Sequence, residues 1–401
     1  MFPKYSVADR WLLSLFYALL FVDSINGLFL GLGHGIPIGA TYKFLLLALF
    51  IIRMIQTRKG AILFLLFLLY ESFYIFLLAE KFYCENIFET LSLFSKFLVV
   101  CFGYPIMVAL AKKNNAVYLQ KTKEIVILNS IVIGLNIIIG MLGFGFSTYY
   151  EAEEGTTLGS KGFFYAVNEI SGVIIFLFGF LIFYYKQKFS TKKFLVLFLI
   201  LLFCIVSFGT KTAMGGVLFF YIYLQYSMGR KNKTLLLLML LIFVPLFLYI
   251  GYLVVAQNGI WERWVYFYER SDDIFTFLLS GRDAFWESMK RKFFASGSIG
   301  VLFGIGGNLT VEMDPFDALM NFGIIGTVMV YSFWLYMTYN AFKLSKTNLL
   351  AKAVLFLDIE VIAFSLFAGH LMFSGLMGPF VPLLNALCYI PNKVLFENLK
   401  R

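Results

Sequence analysis

The heptapeptide Ser280-Gly281-Arg282-Asp283-Ala284-Phe285-Trp286 lies in residues 257–315, the one long segment of this chain whose sequence is not membrane-like. The same segment carries Leu302-Phe303-Gly304-Ile305-Gly306-Gly307-Asn308 and then Glu312-Met313-Asp314-Pro315-Phe316-Asp317. Charges, glycines and aromatic residues are concentrated here, whereas the flanking sequence is mostly Phe, Leu and Ile. A connection of this length between two apolar segments is uncommon and usually functional. We therefore predict that residues 257–315 form a large external loop that holds an active site.

The composition indicates that lipid, rather than water, surrounds most of the chain. Of the 401 residues, 61% are hydrophobic and 14% are charged, whereas soluble domains are about half apolar and a quarter charged. A transmembrane helix needs about 20 apolar residues, so the length allows about a dozen spans with short connections. We predict an all-α, polytopic integral membrane protein with a single membrane domain over residues 1–401. The predicted spans are the twelve apolar runs 11–32, 38–55, 61–79, 88–111, 125–146, 167–185, 194–209, 212–228, 234–256, 317–342, 349–372 and 376–392.

The distribution of charge predicts the orientation of these spans. Lysines and arginines cluster at alternating span ends, and the positive-inside rule places such clusters in the cytoplasm. Both termini are therefore predicted to be cytoplasmic, and residues 257–315 to face outward between the ninth and tenth spans. The net charge of +10 follows this pattern, so we infer no nucleic-acid partner. The basic clusters are Arg53/Arg58/Lys59, Lys112/Lys113/Lys121/Lys123, Lys186/Lys188/Lys192/Lys193, Arg230/Lys231/Lys233 and Lys343/Lys346/Lys352.

The cysteines and histidines predict neither a disulfide framework nor a metal site. Cys101, Cys204 and Cys388 lie inside apolar runs, where no disulfide is required. His34 and His370 are the only histidines, and no Cys or His pattern has metal-ligand spacing. We therefore predict no metal and no soluble cofactor.

Two external segments contain further features. Residues 283–295 are predicted to form an amphipathic helix on the outer membrane surface, because Phe285, Met289 and Phe293 share one face. Residues 147–166 are the second sizeable external loop, in which Lys161 is a candidate substrate-binding residue.

The motifs of the large loop resemble those of a known family. Gly281-Arg282 followed by Trp286, then Phe303-Gly304-Ile305-Gly306-Gly307, then a span containing Gly323 to Gly326, is similar to the O-antigen polymerase/ligase family. These are the Wzy-type polysaccharide polymerases and related ligases of the GT-C superfamily. The break Gly209-Thr210-Lys211-Thr212-Ala213 resembles a short basic break that the family carries upstream. The resemblance covers residues 200–330 by motif and the whole chain by topology.

The resemblance implies a membrane glycosyltransferase. Such an enzyme joins oligosaccharide repeat units carried on undecaprenyl diphosphate, at the outer face of the bacterial cytoplasmic membrane. Its expected partners are this lipid-linked substrate, membrane lipids and other polysaccharide assembly proteins. The departing diphosphate needs cationic donors beside it, and arginine binds phosphate oxygens with two parallel hydrogen bonds.

Arg282 is accordingly the first candidate for binding the diphosphate, and Lys211 is the second. The alternative for Arg282 is a helix-start residue paired with a local acid such as Asp283, and for Lys211 a span-end residue that reaches the interface. Gly281, Gly304 and Gly306 are candidates for close backbone approach to the substrate, although a plain turn is the commoner use of such glycines. Trp286 could stack on a sugar or anchor the loop at the interface.

Three acids precede the tenth predicted span and are candidates for a catalytic base. They are Glu312, Asp314 and Asp317. Related ligases and some polymerases have a histidine near this point, and this chain has none there, which favours a carboxylate as base. The alternative is an acidic helix start, with Pro315 in the first turn. His370 is the alternative to these acids if the chain works as a ligase does, but it is interpreted as a packed core histidine.

Three other functions remain open from the sequence. A ligase would transfer a finished glycan to another acceptor, and a non-catalytic assembly partner would not need the surroundings of Arg282. A flippase or other polysaccharide transporter also has about twelve helices, but transporters usually contain repeats with matching helix breaks in two halves. We find no such repeat, which favours the enzyme.

Overall fold

The computed structural model describes residues 5–81, 87–151, 156–187, 191–227, 281–307 and 310–400, together with Val265, Tyr268, Glu269, Thr276 and Leu279. These residues are mostly helical, which confirms the predicted all-α class apart from one β-hairpin. The predicted ninth span, 234–256, lies outside the described residues, as do Asn308 and much of the segment 257–280.

The helices are numbered here in chain order over the described residues. They are α1 (Val7–Tyr17), α2 (Leu19–Gly31), α3 (Ile38–Ile55), α4 (Arg58–Phe76), α5 (Ile87–Lys113), α6 (Asn115–Met141), α7 (Val167–Gln187), α8 (Thr191–Phe208), α9 (Lys211–Ser227), α10 (Arg282–Ala295), α11 (Gly297–Phe303), α12 (Asp314–Ser345), α13 (Leu349–Ser365), α14 (Phe380–Asn385) and α15 (Asn392–Lys400). A π-helical turn, Leu77–Lys81, follows α4, and a 3-10 turn, Ala386–Tyr389, follows α14.

The described part of the chain contains six helices long and apolar enough to cross a membrane, or seven if α1 and α2 are counted as one bent span. These helices are compatible with a membrane protein. Twelve spans and their orientation remain predictions.

The chain divides into two compact units, which are described separately. Unit 1 comprises residues 1–23, 36–129 and 282–401, and unit 2 comprises residues 24–35 and 130–281. Unit 1 contains α1, α3 to α5 and α10 to α15, whereas unit 2 contains α7 to α9 and the hairpin. Within unit 1, α12 and α13 form an extensively packed pair, and α5 packs on α3 and α14.

Helix α1 in unit 1 begins with a capping box and is fixed by a buried carboxylate. The Ser6 hydroxyl accepts from the Asp9 N–H, and the Asp9 carboxylate accepts from the Ser6 N–H, which satisfies two N–H groups that a helix start leaves unpaired. Asp9 also forms ion pairs with Arg53 on α3 and with Lys113 on α5. One carboxylate therefore joins the N-terminal helix to two others.

Helix α12 is interrupted near its start. Gly323 has φ 64° and ψ −169°, which is not helical, so α12 consists of two helical parts. A Cβ at Gly323 would lie 2.4 Å from the Gly304 nitrogen, so only glycine lets these two backbones approach. Two carbonyls before the break bind groups from other segments. The Met320 carbonyl accepts from the Ile305 N–H at 2.9 Å, and the Asn321 carbonyl accepts from the Tyr74 hydroxyl.

Unit 2 contains an antiparallel hairpin where an irregular external loop was expected. Strands β1 (Phe146–Glu151) and β2 (Thr156–Gly162) pair in the register Tyr150 to Thr157. Asn136 near the end of α6 fixes the hairpin end, because its Oδ1 atom accepts from the Phe163 N–H at 3.2 Å. The predicted span 125–146 accordingly ends earlier, at Met141.

Three further predicted spans are not single continuous helices. The run 11–32 is not one straight helix, since α1 and α2 meet at an angle of 48°. The run 349–372 is helical only to Ser365, and residues 366–379 form turns. The run 376–392 is reduced to α14 and the 3-10 turn, because Pro379, Pro382 and Pro391 lack the N–H that a continuous helix needs. By contrast, α3 coincides with the predicted run 38–55.

Candidate functional site

Three segments of unit 1 converge to form the candidate site. They are the start of α10 at Arg282, the approach to and first turn of α12 at 311–317, and the connection after α13 at 367–372. Each segment contacts the other two through hydrogen bonds. We refer to this arrangement as the junction. The sequence reasoning predicted the first two segments but did not include the third.

Arg282 links both of the other segments of the junction. Its Nε and Nη2 atoms donate to the same oxygen of Glu312, Oε2, at 3.3 and 3.0 Å. Its Nη1 atom donates to the Phe367 carbonyl at 3.2 Å. The Arg282 side chain is 15% exposed and that of Glu312 is 52% exposed. The cation is therefore held from two sides, while its carboxylate partner faces solvent.

Asp314 is fully buried and binds three consecutive backbone amides. Its Oδ1 atom accepts from the His370 N–H, and its Oδ2 atom accepts from the N–H groups of Leu371 and Met372 at 2.9 and 2.7 Å. Asp314 therefore holds the connection 367–372 in place, and a role as catalytic base stays a prediction.

Asp317 is also buried and faces the backbone of its own approach segment. Its Oδ1 atom accepts from the Val311 N–H at 2.5 Å. Its Oδ2 atom is buried as well. Asp317 is 2% exposed, so a substrate hydroxyl cannot reach it in this conformation.

Two residues of the junction other than glycine have left-handed backbones. Glu312 has φ 60° and His370 has φ 67°, and such positions cost roughly 1–3 kcal/mol and are common at functional sites. Gly369 touches this region directly, because a Cβ there would lie 2.6 Å from the Glu312 Cα. His370 is half-buried, and its interpretation as a packed core residue stays a prediction.

Trp286 packs against the start of α12. Its ring centroid lies 4.3 Å from that of Phe316, with an interplanar angle of 31°. Such aromatic pairs contribute about 0.5–1.5 kcal/mol beyond the area they bury. The observed role of Trp286 is thus to fix α10 on α12, and sugar stacking stays a prediction.

The loop glycines have different surroundings. Gly304 has φ 85°, and a Cβ there would lie 2.3 Å from the Asn321 carbonyl oxygen, so close packing explains it. A Cβ on Gly306 would meet the end of the Leu78 side chain at 2.6 Å. Gly281 has φ 77°, and no described atom other than its chain neighbours would lie within 4 Å of a Cβ there. Of the three, only Gly281 keeps the open backbone that substrate approach would need.

Besides Gly281, two predicted binding residues belong to unit 2. Lys211 is the first residue of α9, directly after Thr210, whose hydroxyl accepts from the Ala213 N–H at 3.2 Å. Lys161 on β2 donates to the Tyr165 carbonyl at 3.2 Å. Burial lowers the pKa of Lys161, and its role in substrate binding stays a prediction.

The sequence reasoning missed the acceptors and donors that come from backbone atoms. The Phe367 carbonyl and the amides of 370–372 contribute four of the hydrogen bonds described above. Phe316 was also missed, although it lies inside the acidic motif. The sequence Ala368-Gly369-His370-Leu371-Met372 gave one signal, a polar residue after glycine in an apolar run.

The junction combines one anchored cation with three carboxylates. Among the described residues, no group of three or more His, Cys, Asp or Glu side chains could hold a metal ion. The chain matches no protein-family model, no curated protein and no solved structure.

Proposed function

We propose that this protein is a membrane glycosyltransferase that polymerises oligosaccharide repeat units carried on undecaprenyl diphosphate. The product would be an O-antigen, a capsule or an exopolysaccharide, made at the outer face of the bacterial cytoplasmic membrane. One observation carries the proposal beyond the sequence resemblance: the Arg282 guanidinium is anchored beside a solvent-exposed carboxylate, at the start of a helix in the predicted external loop.

Arg282 would stabilise the charge that develops on the departing diphosphate. A preorganised donor stabilises developing charge without reorganisation during the reaction. The Phe367 carbonyl provides this preorganisation. It fixes one arm of the guanidinium, and because a carbonyl is neutral it does not neutralise the charge. Arginine remains charged at all relevant pH values and binds phosphate oxygens in pairs.

Glu312 is the acid best placed to accept a proton. The acceptor hydroxyl oxygen would attack the anomeric carbon of the donor sugar, and the bond from that carbon to the phosphate oxygen would break. The hydroxyl proton would pass to a Glu312 carboxylate oxygen, and the electron pair of the broken bond would leave with the diphosphate. Of the three candidate acids, Glu312 alone is exposed, whereas Asp314 and Asp317 are buried behind it.

The test is the chain length of glycan made by membranes with matched amounts of each variant. Arg282→Ala should lower the polymerisation rate about 10²–10³-fold, the usual cost of removing such a donor. Arg282→Lys should also be impaired, because lysine keeps the charge but loses the paired geometry. Arg291→Ala is the matched control, since Arg291 is an exposed arginine on the same helix, and it should polymerise normally.

Long polymer from Arg282→Ala would refute the assignment of this residue. Transfer of one finished glycan to a separate acceptor, without elongation, would instead indicate a ligase. Movement of the lipid-linked unit across the membrane without transfer would indicate a transporter.

A further inference from the structure

The ion pair between Arg282 and Glu312 is unequal in two ways. Arg282 is mostly buried and is also bound to the Phe367 carbonyl, whereas the Glu312 side chain is half-exposed. The Nε and Nη2 atoms of Arg282 both donate to the same carboxylate oxygen. In the strongest arginine–carboxylate pairs, each donor binds a separate oxygen. Arg282 is thus the anchored member, and Glu312 is the member that can leave.

We propose that Glu312 is an exchangeable counter-ion that occupies Arg282 until the diphosphate of the lipid-linked donor displaces it. The inference rests on the function proposed above and assigns a second role to the same acid. The resting pair keeps the Arg282 charge neutralised at the protein surface. The donor substrate then replaces a singly charged carboxylate with a more highly charged group.

The displacement is favoured by charge and geometry. Exposed ion pairs contribute little, because solvent screens them and ordering two side chains is costly. A diphosphate has at least two negative charges and several oxygens, so it can bind the two donors with separate oxygens. The Glu312 backbone does not need to move, because only the side chain has to rotate away from the guanidinium.

The exchange would also order the two substrates. While Glu312 is bound to Arg282, its Oε2 atom already accepts two hydrogen bonds from the guanidinium. Displacement by the donor frees this carboxylate beside the bound leaving group. The acceptor hydroxyl would therefore meet an available base only after the donor has bound.

The test measures the binding of pyrophosphate to the full-length protein in lipid nanodiscs by calorimetry. Pyrophosphate presents the same anionic group as the donor and requires no polymerisation. Glu312→Gln removes the competing charge and keeps the side-chain length, so it should bind pyrophosphate up to about fivefold more tightly, equivalent to about 1 kcal/mol. Arg282→Ala should lose the binding.

Glu287→Gln is the matched control. Glu287 is an exposed acid on α10 that forms an ion pair with Lys290, so its removal changes the net charge equally without touching the Arg282 pair. Its affinity should equal that of the wild type. Tighter binding in both glutamine variants would show a general charge effect and overturn the inference.

The outcomes separate the inference from the proposed function. Unchanged or weaker binding in Glu312→Gln, with binding lost in Arg282→Ala, would refute the counter-ion role and leave the anion site intact. Unchanged binding in Arg282→Ala would overturn both.

Discussion

Unit 1 contains two ionic clusters, and they differ in whether the acid or the cation is the less exposed member. In the first, the Asp9 carboxylate is fully buried, and its partners Arg53 and Lys113 are 28% and 35% exposed. In the second, the side chain of Arg282 is 15% exposed and that of Glu312 is 52% exposed. Both clusters join segments distant in the sequence, and both use an acid near the start of a helix.

The difference indicates which cluster can bind an external anion. Around Asp9, two cations neutralise one buried acid, which joins α1 to α3 and α5. Around Arg282, a mostly buried cation has an exposed partner that an anion can replace. Burial of the acid thus indicates a structural clamp, whereas burial of the cation indicates a binding site.

The largest effect should come from Asp9→Asn. Removing one partner of a buried charge pair costs about 3–5 kcal/mol, so the free energy of unfolding should fall by about 3 kcal/mol, given the partly exposed cations. Pyrophosphate affinity of the folded fraction should not change. Chemical denaturation in detergent measures the first quantity. Glu287→Gln, which breaks the exposed pair with Lys290, is the control and should cost under about 1 kcal/mol.

Asp314→Asn should lower the free energy of unfolding, as Asp9→Asn does, although Asp314 lies in the junction. Asparagine offers one acceptor oxygen to three amides, and a buried donor left without its hydrogen bond costs about 1–3 kcal/mol. We expect a loss of about 2 kcal/mol and faster hydrogen exchange at the amides of His370, Leu371 and Met372. Unchanged exchange at these three amides would contradict the positioning role.

Lys113→Met should cost less than either substitution. Asp9 would keep its ion pair with Arg53, and methionine preserves the apolar stem of the lysine. A loss of about 1 kcal/mol in the same denaturation assay is expected. A loss as large as that of Asp9→Asn would mean that Arg53 alone cannot satisfy the buried carboxylate.

Glu312→Gln should have the smallest effect on stability. The pair is exposed on the acid side, so its loss should change the free energy of unfolding by less than about 0.5 kcal/mol. Turnover should nevertheless fall, since glutamine cannot accept the proton. A large loss of stability would place Glu312 in the same class as Asp9 and remove the contrast between the two clusters.

Helices were predictable because their apolar runs are long and uninterrupted. The run 38–55 became α3, and the predicted amphipathic helix 283–295 became α10 with one added residue. The hairpin at β1 and β2 was not predicted, since a short polar segment between spans resembles any loop. The prolines and glycines after Ser365 are residues that interrupt helices. The two last spans were nevertheless predicted through them, because the composition there is apolar.

The candidate site was only partly predictable. Arg282 and the three acids were found, because their charges are conspicuous in an apolar chain. The sequence did not predict which of the three acids is exposed. The burial of Asp314 depends on the segment 367–372, which lies more than 50 residues away in the chain. Its contribution comes from backbone amides, which every residue except proline has and which therefore leave no signal in composition. Asp9 likewise meets a partner 104 residues away.

The break at Gly323 also determines how far α12 can extend beyond a bilayer. An unbroken helix of its 32 residues would be about 48 Å long, well over the roughly 30 Å thickness of the hydrocarbon layer. The part after the break, residues 324–345, is about 33 Å long and matches that thickness by itself. In an α12 that spans a bilayer with this part, residues 314–322 would lie in the headgroup layer, at the depth of the lipid phosphates. The glycine would thereby set the depth of the acids, independently of any contact that they make.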